Sequence, residues 1–112
     1  MRLPGLTLIV VTVAALAACS DSTGSGTGGR GNTITVSNNF FSPNPDTATA
    51  GVVTFTWSNA SNSHNVTWDT GPTTPANSST MTSGTHPVTL AQGTYTYHCS
   101  LHAGMNGTIV VE

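Results

Sequence analysis

Residues 94–111 read TYTYHCSLHAGMNGTIVV, and this stretch decides the fold. Residues 94–98 alternate threonine with tyrosine before a histidine, and residues 108–111 are all β-branched. Both patterns are typical of β-strands. The segment between them is short and contains Gly104, which permits a tight turn of the backbone. We therefore predict two consecutive strands of one sheet, joined by a loop that begins at Cys99.

The loop contains three potential metal ligands at intervals of three residues, namely Cys99, His102 and Met105. They offer a thiolate, an imidazole and a thioether, and His64 can supply a second imidazole. Two histidines and one cysteine with a weak axial methionine are the ligand pattern of electron-transfer copper sites. The sequence therefore predicts one copper ion bound by these four side chains.

Strand alternation predicts where the thiol points. Cys99 continues the face of Tyr95 and Tyr97, because side chains two residues apart lie on the same side of a strand. If that face is buried, the thiol points into the core and His98 points away from it. His98 and His86 both lie outside the ligand pattern, so we expect them to be surface imidazoles.

Further short segments with strand patterns, separated by turn residues, lie upstream: residues 32–38, 52–58, 64–69 and 85–91. His64 shares a strand face with Val66 and Trp68, which we expect in the core together with Trp57. Residues 70–84 are rich in Pro, Ser and Thr and predict a long loop, in which Met81 fills a gap in the core. Many short strands without helical periodicity predict an all-β fold, an antiparallel Greek-key β-sandwich.

The first residues have a different pattern. Arg2 precedes the apolar run 6–18, and residues 16–19 read LAAC, which is similar to a lipoprotein cleavage motif. We therefore interpret residues 1–18 as a signal peptide. The chain resembles a bacterial lipoprotein, in which Cys19 would carry the lipid.

The lipoprotein interpretation divides the rest of the chain in two. Residues 19–31 form a tether rich in Gly, Ser and Thr, and residues 32–112 form the folded domain. Lipid on Cys19 leaves Cys99 as an unpaired thiol in an oxidising compartment, where a metal would protect it. We expect an exported protein anchored to the cell envelope on its periplasmic face. The serine after Cys19 favours the outer membrane in a host with two membranes.

Charge is scarce throughout the chain, which has two basic and four acidic residues, with charged residues making up 5%. Such a surface has too few of the lysine and arginine side chains that bind the phosphates of a nucleic acid, so we exclude nucleic acid as a partner. The length suits one small domain, which we expect to be a monomer.

Several ordered blocks resemble the cupredoxins, and among them the single-domain, plastocyanin-like blue copper proteins. The resemblance runs from residue 33 to residue 111 and rests on these blocks: residues 41–43 (FSP), 59–69 (NASNSHNVTWD), 93–99 (GTYTYHC) and 99–107 (CSLHAGMNG). It implies three strong equatorial ligands and one axial ligand, which are His64, Cys99, His102 and Met105. It also implies a hydrogen bond between Asn65 and the Cys-bearing loop, with Ser100 as the partner.

The spacing of this ligand loop is similar to that of amicyanin and shorter than that of plastocyanin, and Leu101 stands where both often have proline. With so few charges, docking cannot depend on long-range electrostatic steering, so we expect redox partner proteins to contact a small apolar surface around His102, built from Leu101, Ala103 and Gly104 with Pro43 nearby. His98 occupies a position linked to partner contact in plastocyanins, so it is a candidate for a second electron route.

The sequence does not favour an enzyme. Ser100 stands where multicopper oxidases carry a second histidine after His98 and Cys99, and a binuclear copper centre would need another cysteine near Cys99. Two histidines, a cysteine and a methionine leave no open position for a substrate. Electron transfer is the predicted function. A copper-delivery lipoprotein and a metal-free, adhesion-like sandwich are the alternatives.

Overall fold

The computed structural model describes residues 29–58 and 60–112. The signal peptide, Cys19 and most of the predicted tether lie outside the described residues. The described part contains the following β-strands: β1 (Gly29–Arg30), β2 (Thr33–Ser37), β3 (Phe40–Ser42), β4 (Asp46–Ala48), β5 (Gly51–Trp57), β6 (Thr67–Thr70), β7 (Gly84–Leu90), β8 (Gly93–His98) and β9 (Asn106–Val111). Within these residues there is no helix long and apolar enough to cross a membrane.

The strands form two sheets, with the orders β1-β4-β9-β8-β6 and β3-β2-β5-β7. Strands β2, β5, β8 and β9 each bury alternate side chains, because one face of each sheet is turned towards the other sheet. The buried residues form one cluster, which includes Ile34, Phe55, Tyr95, Tyr97 and Ile109. The predicted all-β sandwich is confirmed.

Not all of the strand pairs are antiparallel. Strand β2 pairs with β5 in parallel, and β4 pairs in parallel with both β1 and β9. The reason is the path of the chain, which leaves the β2–β3 hairpin, crosses to the other sheet at β4 and returns at β5. A strand that returns after such a crossing can run in the same direction as its earlier neighbour.

The structure differs from the sequence prediction at four strands. Strands β1, β3 and β4 were not predicted, because each is only two or three residues long; Gly29–Arg30, for example, has no side-chain pattern and is held by backbone pairing with Asp46 and Thr47. The segment predicted as a strand from His64 to Asp69 becomes regular only at Thr67. Before that residue it makes an isolated bridge between His64 and Met81 in the long loop.

Aromatic packing fixes the strand that leads to Cys99. The Tyr97 ring lies edge-on to Phe41 and Phe55, with ring centroids 4.8 Å and 5.2 Å apart. Each such contact stabilises the fold by about 1 kcal/mol beyond the burial of its area. Gly107 pairs with Tyr97 across β8 and β9, and a side chain at Gly107 would collide with the Tyr97 ring. The end of strand β8, which is followed directly by Cys99, therefore has little freedom to shift.

Candidate metal centre

The loop between β8 and β9 folds back on itself through backbone hydrogen bonds. The amide of Cys99 donates to the Met105 carbonyl at 2.9 Å, which closes the loop at its base. Inside it, the amide of His102 donates to the Cys99 carbonyl at 3.4 Å and the amide of Met105 donates to the His102 carbonyl at 3.3 Å. Gly104 has a φ of 81°, a left-handed conformation that glycine adopts without strain. The three potential ligands are thus turned towards one point.

His64 reaches the same point from the segment before β6. Its backbone is held on two sides, because the amides of His64 and Met81 each donate to the other residue's carbonyl at 3.0 Å. The indole Nε1 of Trp57 donates a further hydrogen bond of 3.0 Å to the His64 carbonyl. This imidazole is completely buried.

The structure brings His64, Cys99 and His102 together as the only such cluster of potential ligands found in the described part of the chain. Their ligand atoms all lie within 4.8 Å of one another. The Cys99 Sγ is 3.9 Å from Nδ1 of His64 and 3.6 Å from Nδ1 of His102, and the two ring centroids are 4.6 Å apart. An ion between these atoms would meet one sulfur and two nitrogens.

The surroundings of the cluster favour metal binding. Cys99 is a free cysteine with 2% of its surface exposed, and the backbone amide of Asn65 approaches its Sγ at 3.5 Å. Such an N–H group stabilises negative charge on the sulfur. Burial, followed by the neighbouring His102 imidazole, lowers the pKa of His64. A lowered pKa keeps the His64 imidazole neutral, which is the form that binds metals.

Met105 follows the cluster along the chain and is 2% exposed, so its thioether is inside the protein. The soft sulfur donors of Cys99 and Met105 together with two imidazoles suit copper, which accepts both donor types in both oxidation states. The fold and these four residues form the pattern of a type 1 copper site.

The contact that the resemblance implied between Asn65 and Ser100 is present. Asn65 Nδ2 donates to Ser100 Oγ at 2.8 Å, and Asn65 Oδ1 accepts from the Ser100 amide at 2.9 Å. Asn65 Nδ2 also donates to Thr80 Oγ1 at 3.3 Å, and Asn65 Oδ1 accepts a further hydrogen bond from the Thr67 hydroxyl at 3.2 Å. Both N–H donors of the Asn65 side-chain amide and both acceptor positions of its oxygen therefore have hydrogen-bond partners.

The remaining histidines lie apart from the cluster. His86 is half-buried on β7, with its Nε2 3.3 Å from the Ala76 carbonyl. The His98 side chain is 33% exposed, and its Nδ1–H donates to the Asp69 carboxylate at 2.8 Å. Leu101 is exposed beside the half-buried His102. Met81 packs against the core, as predicted.

One contact of the cluster was not foreseen. The Nε2 atom of His64 lies 3.3 Å from Oδ1 of Asn38, in the turn between β2 and β3. The sequence predicts Asn38 only as the end of the strand segment 32–38, and no pattern connects it with a histidine 26 positions away. Only the folded chain brings this amide to the cluster.

Comparison with known proteins gives the family. The family model of the cupredoxin-like domain matches residues 6–111. A purple cupredoxin from Nitrosopumilus maritimus is 26% identical, with a TM-score of 0.61, and the match covers 71% of this chain and 98% of that one. A reduced amicyanin variant is 25% identical, with a TM-score of 0.60, and the match covers 71% and 80% of the two chains.

A copper-containing nitrite reductase from Thermus scotoductus shares the fold at 23% identity, with a TM-score of 0.59 over 71% of this chain. The match spans only 22% of that enzyme's length. No curated protein matches the sequence significantly. The family match extends over nearly the whole chain, and the chain therefore belongs to the cupredoxin-like domain family.

Proposed function

We propose that this protein carries single electrons through one type 1 copper ion, which His64, Cys99, His102 and Met105 would hold. The observation that carries the proposal is the convergence of one ligand atom each from His64, Cys99 and His102 within 4.8 Å of one another. When bound there, copper supplies a one-electron couple between Cu(I) and Cu(II). Structures of amicyanin variants, to which this chain is similar, include a reduced Cu(I) form and an oxidised state.

The protein's contribution is a ligand cage that changes little between the two oxidation states. His64 is fixed by the hydrogen bonds of its backbone, and Cys99 by the closed loop and by the buried strand that precedes it. Packed and hydrogen-bonded ligands keep their geometry when the charge of the ion changes. A small rearrangement on electron transfer makes the exchange fast.

Copper delivery is the weaker alternative. A delivery protein has to hand its ion to an acceptor, which requires ligands that the acceptor can replace. Here His64 is completely buried, and Cys99 and Met105 are each 2% exposed. An enzymatic role is disfavoured too, because four side-chain ligands leave no position for a substrate.

We further propose that the protein works in the cell envelope, anchored by lipid on Cys19. The support is the apolar run 6–18 followed by the LAAC motif. Mass spectrometry of the protein purified from membranes should find an N-terminal Cys19 with its acyl chains. Unmodified Cys19, or cleavage at another position, would contradict this part of the proposal.

For partner contact we propose the surface formed by Leu101 and His102, with His98 as a second route for the electron. Leu101 is 52% exposed and lies next to a potential ligand, which suits a brief apolar contact with a redox partner. His98 is adjacent to Cys99 and reaches the surface beside Asp69. We expect the protein to act as a monomer between a donor and an acceptor protein.

Voltammetry of the copper-loaded protein, combined with a transfer assay, separates the two roles. An electron carrier gives a reversible one-electron wave and keeps Cu(I) when mixed with a moderate Cu(I) chelator. Rapid loss of Cu(I) to the chelator without a reversible wave would favour delivery instead.

A further inference from the structure

The two ring nitrogens of His64 face different partners. Its Nδ1 points to the cluster, 3.9 Å from the Cys99 Sγ, whereas its Nε2 lies 3.3 Å from Asn38 Oδ1. A neutral imidazole has one N–H and one free lone pair, and the nitrogen that binds a metal must offer the lone pair. The proton therefore belongs on Nε2, and this N–H donates to Asn38.

The orientation of the Asn38 amide is also determined. The backbone amide of Asn62 points to Asn38 Oδ1 at 3.2 Å, and Asn38 Nδ2 donates to Ser61 Oγ at 2.7 Å. A backbone N–H can only donate, so the group that faces it must be the oxygen. If the amide were flipped, its NH₂ group would face two N–H donors, the backbone amide of Asn62 and Nε2–H of His64. Asn38 therefore presents an acceptor to His64 in the only orientation that satisfies its neighbours.

The backbone holds this acceptor in place. Asn38 and Asn39 form the turn between β2 and β3, and Asn39 has a left-handed φ of 69°, which asparagine tolerates better than most residues. Strand β2 pairs with β5, and the last residue of β5, Trp57, donates its indole N–H to the His64 carbonyl. The same pair of strands thus positions both the acceptor and the imidazole.

We infer that Asn38 is a positioning residue, which holds His64 as its Nε2–H tautomer and aims Nδ1 at the copper ion. This inference rests on the proposed function, because it takes His64 as a copper ligand. Partners of this kind fix the tautomer, orient the ring and raise the basicity of the ligand.

The test uses copper-free and copper-loaded protein. In the copper-free protein, ¹⁵N NMR of the His64 ring should show the Nε2–H tautomer, and Asn38→Ala should lose it in favour of a mixture or of Nδ1–H. In copper titrations, Asn38→Ala should weaken binding by about 10–100-fold, the usual effect of losing such a partner. Retention of the tautomer together with an affinity within about twofold of the wild type would overturn the inference.

Asn38→Asp is the matched variant. It keeps an acceptor oxygen for both N–H groups, so the tautomer should persist. Its negative charge should stabilise Cu(II) and lower the reduction potential. If Asn38→Ala does not fold, the ¹⁵N spectrum of the copper-free Asn38→Asp protein decides: the Nε2–H tautomer supports the inference, and a mixture or the Nδ1–H tautomer overturns it.

His64→Ala separates this inference from the proposed function. Undiminished copper binding by His64→Ala would contradict the ligand assignment. The tautomer of the copper-free wild-type protein, and its change in Asn38→Ala, reports on Asn38 alone.

Discussion

Asn65 and Ser100 are joined by two hydrogen bonds, one from Asn65 Nδ2 to Ser100 Oγ at 2.8 Å and one from the Ser100 amide to Asn65 Oδ1 at 2.9 Å. Asn65 follows His64 in the chain and Ser100 follows Cys99. The pair therefore connects the two segments that carry the buried members of the cluster, at the residues next to them.

Asn65→Ala should destabilise the protein by at least about 2 kcal/mol, because it removes both bonds to Ser100, each worth about 1 kcal/mol, and also the longer bonds to Thr67 and Thr80. Ser100→Ala removes only one of the bonds between Asn65 and Ser100 and should cost about 1 kcal/mol. Chemical denaturation of the two variants and of the double variant forms a cycle. We expect the double variant to resemble Asn65→Ala, since Ser100→Ala has little left to remove. Additive losses would show that the two side chains act independently.

Asp46 predicts a pH dependence of stability. This residue is 1% exposed, and neither carboxylate oxygen has a well-formed hydrogen bond. Burial raises the pKa of Asp46, and the nearby Thr47 backbone amide offsets the effect only in part. Because the pKa of Asp46 is higher in the folded state than in the unfolded state, the protonated carboxyl adds to the free energy of unfolding. This contribution is complete below the pKa of an unfolded aspartate, about 3.9. It is lost as the pH rises through the folded-state pKa.

Asp46→Asn removes the buried charge and should be more stable than the wild type at pH 7. We expect a gain of several degrees in Tm, since about 1 kcal/mol corresponds to about 4–8 °C in a domain of this size. The gain should shrink as the pH falls through the raised pKa of Asp46 and the wild-type carboxyl becomes protonated. Thermal unfolding across this range is the measurement, with the exposed Glu112→Gln as control. A variant that is less stable at pH 7 would show that ionised Asp46 is stabilising.

The scarcity of charge predicts that electron exchange depends little on salt. Arg30 pairs with Glu112 at 3.4 Å, Asp46 is buried, and Asp69 accepts a hydrogen bond from His98. The electron self-exchange rate, measured by NMR on mixtures of Cu(I) and Cu(II) protein, should change by less than about threefold between 10 mM and 1 M salt.

Ala103→Glu is the control for this prediction, because Ala103 is exposed next to His102. Two copies that meet through this surface would then repel each other, so the rate should fall at low salt and recover at high salt. A steep salt dependence in the wild type would mean that the contact surface lies near the charged residues.

The cluster could be predicted from the sequence because three of its potential ligands are separated by only two residues each. Cys99, His102 and Met105 lie in one loop, and the ligand set needs a second imidazole, which His64 can supply. Asn38 could not be predicted, since an amide that reaches a ring 26 residues later leaves no local pattern. The main strands followed from alternation, whereas β1, β3 and β4 are short and held by backbone pairing. The late start of β6 results from pairing of His64 with Met81, which depends on the path of the long loop.

The visible spectrum of the copper-loaded protein tests the central claim most directly. Thiolate bonded to Cu(II) should give an intense absorption band and a blue colour, which ascorbate bleaches. Cys99→Ser should lack the band, whereas His98→Ala, which changes a neighbouring residue outside the ligand set, should retain it. A wild-type protein without the band, or a Cys99→Ser protein that keeps it, would contradict the assignment of Cys99 as a copper ligand and the electron-transfer function built on it.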